Sequence, residues 1–569
     1  MGTACTRPLE RTIAAFGPNE GGCAQSQFEL CEDVSYGGVL CALPALLGNG
    51  LLDGIETMLG KINGYYTAVQ VLVLVAFMSL CRIKTTEKLR GYAPGEFGKL
   101  LGLDRIPEAR CLRTKLSHLS SDEAGERWAA HLSKLWMDTL PEYAGTLYVD
   151  GHVRVYNGKL SKIPKKYISR QRLCLRGVTG YWVNDIIGRP FFVIDKTTDP
   201  GLLKTIENDI LPRLLTDVPN QPDDSELEKN PYSCRFILVF DREGYSPEFF
   251  KKLWDKYRVA CITYRKYVND DWPKEWFTPV ETIMPNGEQI TMNLAEQGSL
   301  IGTEKKAVWM REVRKLTDSG HQTSLMSTAY DLPHDRLAVS MFSRWCQENF
   351  FKYMMEHFSI DLLQEYGTSS IPETEQVINP KWRELNNRRN SVQNKLNYRV
   401  GKFGKLNLTA DQMKDDQKWL KEKSALLEEI ELFKHELEEI KREIKETPRK
   451  FDWSELPERD KYFPLLPGRK RLVDTIRMIA YRAETAMALL LRNDTVDMAA
   501  ARRLLQDLFR TDADIIPKND EGILLIRVHS ASRPAANRSL SALIEELNSY
   551  EMIYPGTEMK TVYELIGES

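Results

Sequence analysis

Apolar residues recur along this chain in two rhythms, and the places where the rhythm changes divide it. Up to about Leu40 no period is visible and glycines are frequent, so residues 1–42 read as a loose leader. From Leu43 the spacing becomes helical. Helices are predicted over Leu46–Ile62, Tyr65–Ile83, Thr85–Tyr92, Glu96–Leu101 and Pro107–Leu119, with turns at Ala93-Pro94-Gly95 and Gly102-Leu103-Asp104. In the last of these, Leu112, Leu116 and Leu119 face inward. Arg110 and Arg113 face outward, and Lys115 sits at the edge of the apolar face. Short helices, a glycine turn and a basic second helix describe a helix-turn-helix over residues 43–125. A small helical bundle with a solvated basic face has the same pattern.

The middle of the chain alternates with period two. Strands are predicted at Thr146–Asn157, Arg172–Ile187, Arg189–Lys196, Arg235–Asp241 and Val259–Tyr264, with helices at Leu202–Leu215 and Pro247–Tyr257. The gap between the second and third strands is short enough to favour an antiparallel hairpin. Three hairpin-linked strands, a helix, a strand, a helix and a strand follow the order of a ribonuclease H-like core, whose first part spans 126–265. In that fold the first and fourth strands are neighbours. Residues 266–334 then break the pattern with alternating segments (EWFTPVETI, QITMNL, GSLIG, AVWMREVRKL, HQTSLMST) that read as a β-rich insertion. One strong helical stretch, RLAVSMFSRWCQENFFKYMMEHF, returns the chain to the core at 335–372. It carries Val339, Phe342, Cys346, Phe350 and Tyr353 on one side, and Arg344, Glu348 and Lys352 on the other.

Within residues 373–450, Leu426, Ile430, Phe433, Leu437, Ile440 and Ile444 alternate four and three apart, a heptad seam. A weaker version covers Trp382–Phe403, which predicts a coiled-coil helical hairpin. Residues 451–569 read as mainly helical: Arg471–Arg492, Thr495–Leu508, a short strand at Gly522–His529, then helices at Ser539–Ser549 and Lys560–Ile566. The fold class is therefore α/β, with helical additions at both ends.

Composition changes little in this picture. The chain has 569 residues, 42% hydrophobic and 28% charged, with a net charge of −2. Several domains are expected, and contact with nucleic acid must come from local basic patches. Ten cysteines include no CxxC pair, which fits free thiols in a reducing compartment. The longest apolar run, Val69–Cys81, is shorter than the ~20 residues that span a bilayer. The first residues lack the apolar core of a secretory signal.

The candidate chemistry lies in three acids. Asp241 ends the buried run RFILVF, Asp150 lies in LYVDGHVRV, and Glu348 lies on the long helix. Two-metal phosphoryl transfer needs such clustered hard oxygen ligands. Each acid alone is more often an edge residue, a turn cap or half of an ion pair; the joint case is stronger, because each falls where one fold needs it. Glu243 and His152 stand two residues from Asp241 and Asp150; for Glu243 a loop ion pair with Arg242 or Arg265 is the simpler expectation. The stretch KLSKIPKKYISRQR, with Lys165, Lys166 and Arg170, suits a phosphate backbone or a solvated loop. There is no GxxxxGK[ST], HExxH or GxSxG motif.

From about Leu43 onward the chain resembles the bacterial insertion-sequence DDE transposases. The resemblance rests on LYVDGHVRVYNG, ILVFDREGYSPEFF and RWCQENFFKYM, backed by APGEFGKLLGLDRIPEARCLRTKL. It implies that Asp150, Asp241 and Glu348 are the catalytic acids and hold two Mg²⁺ or Mn²⁺ ions. It implies cleavage at the element's ends and attack of the freed 3′-OH on target DNA. The family's Tyr-x2-Arg-x3-Glu-x6-Lys signature is matched at Arg344 and Glu348. Met341 and Met355 replace the Tyr and Lys, and Lys352 lies about one turn before the expected Lys. Related enzymes stack a flipped base on a tryptophan of the insertion, which makes Trp272, Trp276 and Trp309 candidates. The expected partners are double-stranded DNA, as terminal repeats and target, and a second copy in the synaptic complex. The expected location is the cytoplasm, at the nucleoid, without a membrane. A nuclease that does not join strands, or a DNA-binding relative without catalysis, are the alternatives.

Overall fold

In a computed structural model, the described residues are 23–156, 163–168, 173–197, 199–268, 270–285, 287–303, 306–362, 376–408, 416–457, 461, 468–492 and 497–566. They are mixed α/β and fall into two compact units: residues 159–163 with 367–465, and the remainder.

The large unit holds two sheets. β1 (Cys31–Val34) belongs to the smaller. The larger is built from β2 (Thr146–Val155), β3 (Lys165–Ile168), β4 (Leu173–Asn184), β5 (Pro190–Lys196), β6 (Ile237–Phe240) and β7 (Ala260–Tyr264), joined by β8 (Thr278–Ile283), β9 (Gln289–Ile301), β10 (Val308–Leu316) and β11 (Gln322–Ser327). The strand path is β3-β4-β2-β6-β7-β11-β10-β9-β8, with β5 also paired to β4. β2 and β4, and β4 and β5, are antiparallel; β2, β6 and β7 are parallel. The helix Pro247–Tyr257 makes the crossover from β6 to β7. The β-rich insertion is not a separate module. β11 pairs antiparallel with β7, Leu325 opposite Tyr264, so the insertion extends the same sheet. The two segments expected at QITMNL and GSLIG are one continuous strand, β9.

Four expectations need correction. Residues 31–42 are not a loose leader. β1 pairs with a strand far along the chain, and Val34, Val39, Leu40 and Cys41 are buried. Gly37 and Gly38 lie so close to Ala513 and Leu508 that a Cβ would stand 2.5 and 2.0 Å from them. Such long-range packing leaves no local period. The helix expected over Leu46–Ile62 is two short ones, Leu43–Gly48 and Ile55–Met58, because Gly50 and Gly54 between them adopt φ of 86° and 70°. The helix carrying Glu348 is broken at Ser343–Arg344 into His334–Phe342 and Trp345–Tyr353.

The end of the chain is the fourth. Ala513–Lys518 and Lys560–Leu565 are strands, so the region is not mainly helical. In chain order β14 (Ala513–Lys518), β15 (Ile523–Val528) and β16 (Lys560–Leu565) form a sheet of order β1-β14-β15-β16. β15 and β16 are parallel and joined by the helix Pro534–Ser549. Thr561, Val562 and Tyr563, branched or aromatic, suit a strand better than the helix read there.

The small unit contains β12 (Gln376–Ile378) paired with β13 (Lys450–Asp452), and two long helices, Pro380–Leu408 and Asp416–Glu446. Ion pairs join Arg388 to Glu436, Arg399 to Glu429 and Lys402 to Glu422. One number rises as the other falls, so the helices run antiparallel. Val392, Leu396, Ile430, Leu437 and Ile440 form the seam between them.

Candidate functional site

The site is built on register. β2 and β6 run parallel, with Val149 opposite Phe240. The next residue in each case is an acid, so Asp150 on β2 and Asp241 just past the end of β6 stand side by side, on backbones spaced about 4.8 Å apart. β6 is four buried apolar residues, and Asp241 follows where it leaves the sheet. Its Oδ1 accepts the Arg242 backbone N–H at 2.7 Å and starts the next turn. Asp150 Oδ1 accepts the Gly151 N–H at 2.8 Å.

The third acid arrives from above. Tyr148, Asp150 and His152 alternate onto one face of β2. The Tyr148 hydroxyl donates to the Ser340 carbonyl at 2.6 Å, and the His152 ring stacks on Phe351 at 5.2 Å. The two helices therefore lie along β2, one contact per turn or two. Buried Gln347 fixes their height. Its Nε2 donates to the Asn184 Oδ1 at 2.9 Å and lies near the Trp182 and Tyr148 carbonyls, at 3.3 and 3.4 Å. Glu348, the next residue, is then held at the sheet edge.

Arg344 occupies the centre. Its guanidinium lies 3.6 Å from Asp150 Oδ2 and 2.6 Å from Glu348 Oε1. Burial alone would lower its pKa. The charges of Asp241, Asp150 and Glu348 outweigh burial and hold it above its ordinary value. Asp150 moves the other way. Burial raises its pKa to about 6, helped by Asp241 and Glu243 and opposed by Arg344 and the Gly151 N–H. The carboxylates thus gather around one cation and not around a shared point. Among the described residues, the group of three ligands whose atoms lie within 4.8 Å of one another is a different one, Asp33, Asp514 and His529.

Glu243 faces Asp199, Asp241 and Lys266, and burial and the two acids raise its pKa. It does not pair with Arg242 or Arg265; Arg265 is taken by Glu312. Asp199 is held by Thr179 and Tyr181, at 2.5 and 2.7 Å.

The basic and aromatic candidates separate clearly. Lys352 is exposed on the Glu348 helix, Lys165 is exposed on β3, and Arg110 is exposed on Ala109–Leu119. Arg113 is half-exposed and paired with Glu87. Lys115 is not a surface residue. It is buried, and its ammonium donates to the Asn63 and Tyr66 carbonyls at 2.8 and 3.1 Å, so it ties a loop. Lys166 is likewise engaged, donating to Thr179 at 2.7 Å and the Lys196 carbonyl at 2.8 Å. Burial lowers its pKa to about 8. Arg170 lies outside the described residues.

Register also sorts the tryptophans. β11 runs against β7, so Gln322 lies beyond the Tyr264 end, where the acids are. Gln322 bonds both backbone groups of Trp272, and Trp272 contacts Trp276, with ring centroids 6.1 Å apart. Trp309 precedes Arg311, which pairs with Ser327, and so points toward the opposite end of the sheet. There it packs on Tyr330 at 5.6 Å. Trp272 and half-exposed Trp276 remain as stacking candidates, and Trp309 does not.

With the geometry in place, the comparison is decisive: residues 2–567 match the family described as "Transposase protein". The chain belongs to this transposase family. No curated protein matches it. As a transposase it binds and cleaves DNA. No helix among the described residues is long and apolar enough to cross a membrane.

Two residues of this transposase's site have no sequence signal of their own. Tyr264 ends β7 beside Arg344, and its hydroxyl interacts with that guanidinium. Gln347 reads as an ordinary helix residue, yet it is the helix's anchor. Replacing Gln347 with Leu leaves the Asn184 amide oxygen without this donor. It should cost about 1–3 kcal/mol of stability and lower cleavage by displacing Glu348. Chemical denaturation and a cleavage assay at saturating DNA check this; wild-type turnover in a folded variant removes the anchoring role.

Proposed function

We propose that this transposase is of the DDE type, cutting DNA at the ends of its element and joining the freed 3′-OH to target DNA, with Asp150, Asp241 and Glu348 as its acids. The observation that carries this is the side-by-side register of Asp150 and Asp241, with Glu348 brought to the same place through Arg344. Two antiparallel pairings followed by two parallel ones support the ribonuclease H-like reading of the core.

Three carboxylates are hard oxygen ligands suited to Mg²⁺ or Mn²⁺. Their hold on Arg344 is a measure of how strongly the site favours positive charge. When bound, two such ions would stabilise the attacking and leaving oxygens of an in-line displacement. The chain's own groups do the rest. Asp150 and Asp241, fixed by the sheet, set the spacing of the site. Glu348, on the helix anchored by Gln347, closes it from above. Arg344, released from the acids, is placed to contact a phosphate of the cut strand, with Lys352 two turns further on. Trp272 and Trp276 stand where a base leaving the duplex would be received. Lys165 and Arg110 supply further backbone contacts. Pairing of two DNA ends requires at least two copies on DNA.

The test is Mg²⁺- or Mn²⁺-dependent cleavage of the element's own ends by wild type and Glu348→Gln. Removing one metal-holding carboxylate should lower cleavage by at least roughly 10³-fold, with end binding kept. Cleavage of both proteins at the same rate overturns the assignment. A strand-transfer assay on the same reaction separates a transposase that joins from one that only cuts.

A further inference from the structure

At the end of the sheet where β2 begins, away from the three acids, the large unit contains a cavity of about 340 Å³. Asn49, Asp53, Trp136, Thr139, Arg189 and Arg482 contribute to its wall. We propose that it is a phosphate-binding site, independent of the catalytic assignment above.

Arg482 makes the case. It lies on the helix Gly468–Arg492, is 4% exposed, and forms no ion pair with any carboxylate among the described residues. Nη1 donates to the Pro190 carbonyl at 3.1 Å, and Nε has no acceptor. The guanidinium is sandwiched at 4.5 Å from the Trp136 ring and 5.6 Å from Phe191. Its nearest cation, Arg189, uses Nε on Asp185 at 2.6 Å while its Nη2 is without an acceptor. Asp185 is committed mainly to Arg189 and the backbone: its Oδ1 accepts the N–H groups of Ile187 and Arg189 at 3.1 and 2.8 Å, so Arg482 feels its charge but forms no ion pair with it.

Burying Arg482 beside a second cation is costly, and among the described residues Asp185 offsets this only through its charge, without an ion pair. Two guanidinium groups from different elements line the same cavity, and their combined positive charge suits an oxyanion with several acceptor oxygens. The volume is in the range of small-ligand pockets and too small for a duplex, so a phosphate, a pyrophosphate or a small phosphate ester enters. Asp53 stands exposed at the mouth and opposes an anion there. The phosphate is either free or an extruded group of a DNA strand, and the titrants below distinguish these sources.

Pyrophosphate and a short duplex oligonucleotide are titrated separately into the full chain by calorimetry. Arg482→Met keeps the aliphatic stem and removes an unpaired buried charge, so it should fold. The expected result is saturable pyrophosphate binding that weakens about 10-fold or more in Arg482→Met, the loss of one charged hydrogen-bonding group. It should tighten in Asp53→Asn. Duplex affinity that falls in Arg482→Met, with no pyrophosphate binding, instead assigns the site to a strand phosphate. The proposal is overturned if neither titrant distinguishes Arg482→Met from wild type. Should that variant not fold, unchanged binding of both titrants in Asp53→Asn overturns it.

Discussion

Asp150→Asn is expected to abolish DNA cleavage and, in metal-free protein above pH 7, to make the fold more stable than wild type. The first effect follows from the proposed role of the carboxylate. The second follows from its surroundings. Burial raises the Asp150 pKa from 3.8 to about 6, so the folded protein keeps a proton that the unfolded chain releases. A raised carboxylate contributes stability that is full below pH 3.8 and lost as pH rises through about 6. The loss is on the order of 2–3 kcal/mol in wild type and absent in the neutral variant. Urea denaturation at pH 4 and pH 7.5 reads both numbers. Added Mg²⁺ should restore stability to wild type at pH 7.5 and have less effect on Asp150→Asn. A variant that unfolds more readily than wild type at pH 7.5 would remove this account of the site's electrostatics. A variant that still cuts would remove its catalytic assignment.

The largest loss of stability is expected from Asp474→Ala, far from any reacting atom. Asp474 is wholly buried on the helix Gly468–Arg492. It pairs with Lys470, with Arg154 at 2.7 Å and with Arg477 at 3.5 Å. Burial would raise its pKa, but the three cations together hold it below the ordinary carboxylate value. Removing this one carboxylate strands three charges in the interior; among the described residues only Arg154 keeps an ion pair with another carboxylate, Asp195. Breaking a buried pair costs about 3–5 kcal/mol. Whole domains are stable by only ~5–15 kcal/mol, so the variant should be near the edge of folding at 37 °C. Glu438→Ala removes the exposed partner of Lys441 and should be nearly silent. If denaturation shows Asp474→Ala within 1 kcal/mol of wild type, Asp474 is not the hub of that cluster.

Much of the central sheet could be read from the chain because its signals are local. The apolar run into Asp241 and the alternation around Asp150 gave strands and acids together. The side-by-side placement of those acids came from strand order, which the hairpin and crossover lengths restrict. What escaped were residues whose role depends on distant partners. Lys115 looked like a surface lysine because its position on the helix edge does not reveal the Asn63 and Tyr66 carbonyls it meets. Gln347 and Asp474 are polar residues in helices, and nothing nearby in sequence shows that they are buried. Residues 31–42 lack a period because their partner strand is hundreds of residues away. The helix expected at Lys560–Ile566 failed for a related reason: a seven-residue stretch carries too little periodicity to outvote its sheet neighbours.

The pairing of β1 with β14 also sets a clock on synthesis. The Asp33 backbone donates to an Asp514 side chain 481 positions later. At roughly 5–20 residues per second, the ribosome needs on the order of half a minute or more between the two. Until then the early strand has no partner, and Gly37 and Gly38 have no wall to pack against. The early helices wait as a nascent chain with one edge open. Strand β14, made long after β1, is the one that completes this first part of the chain.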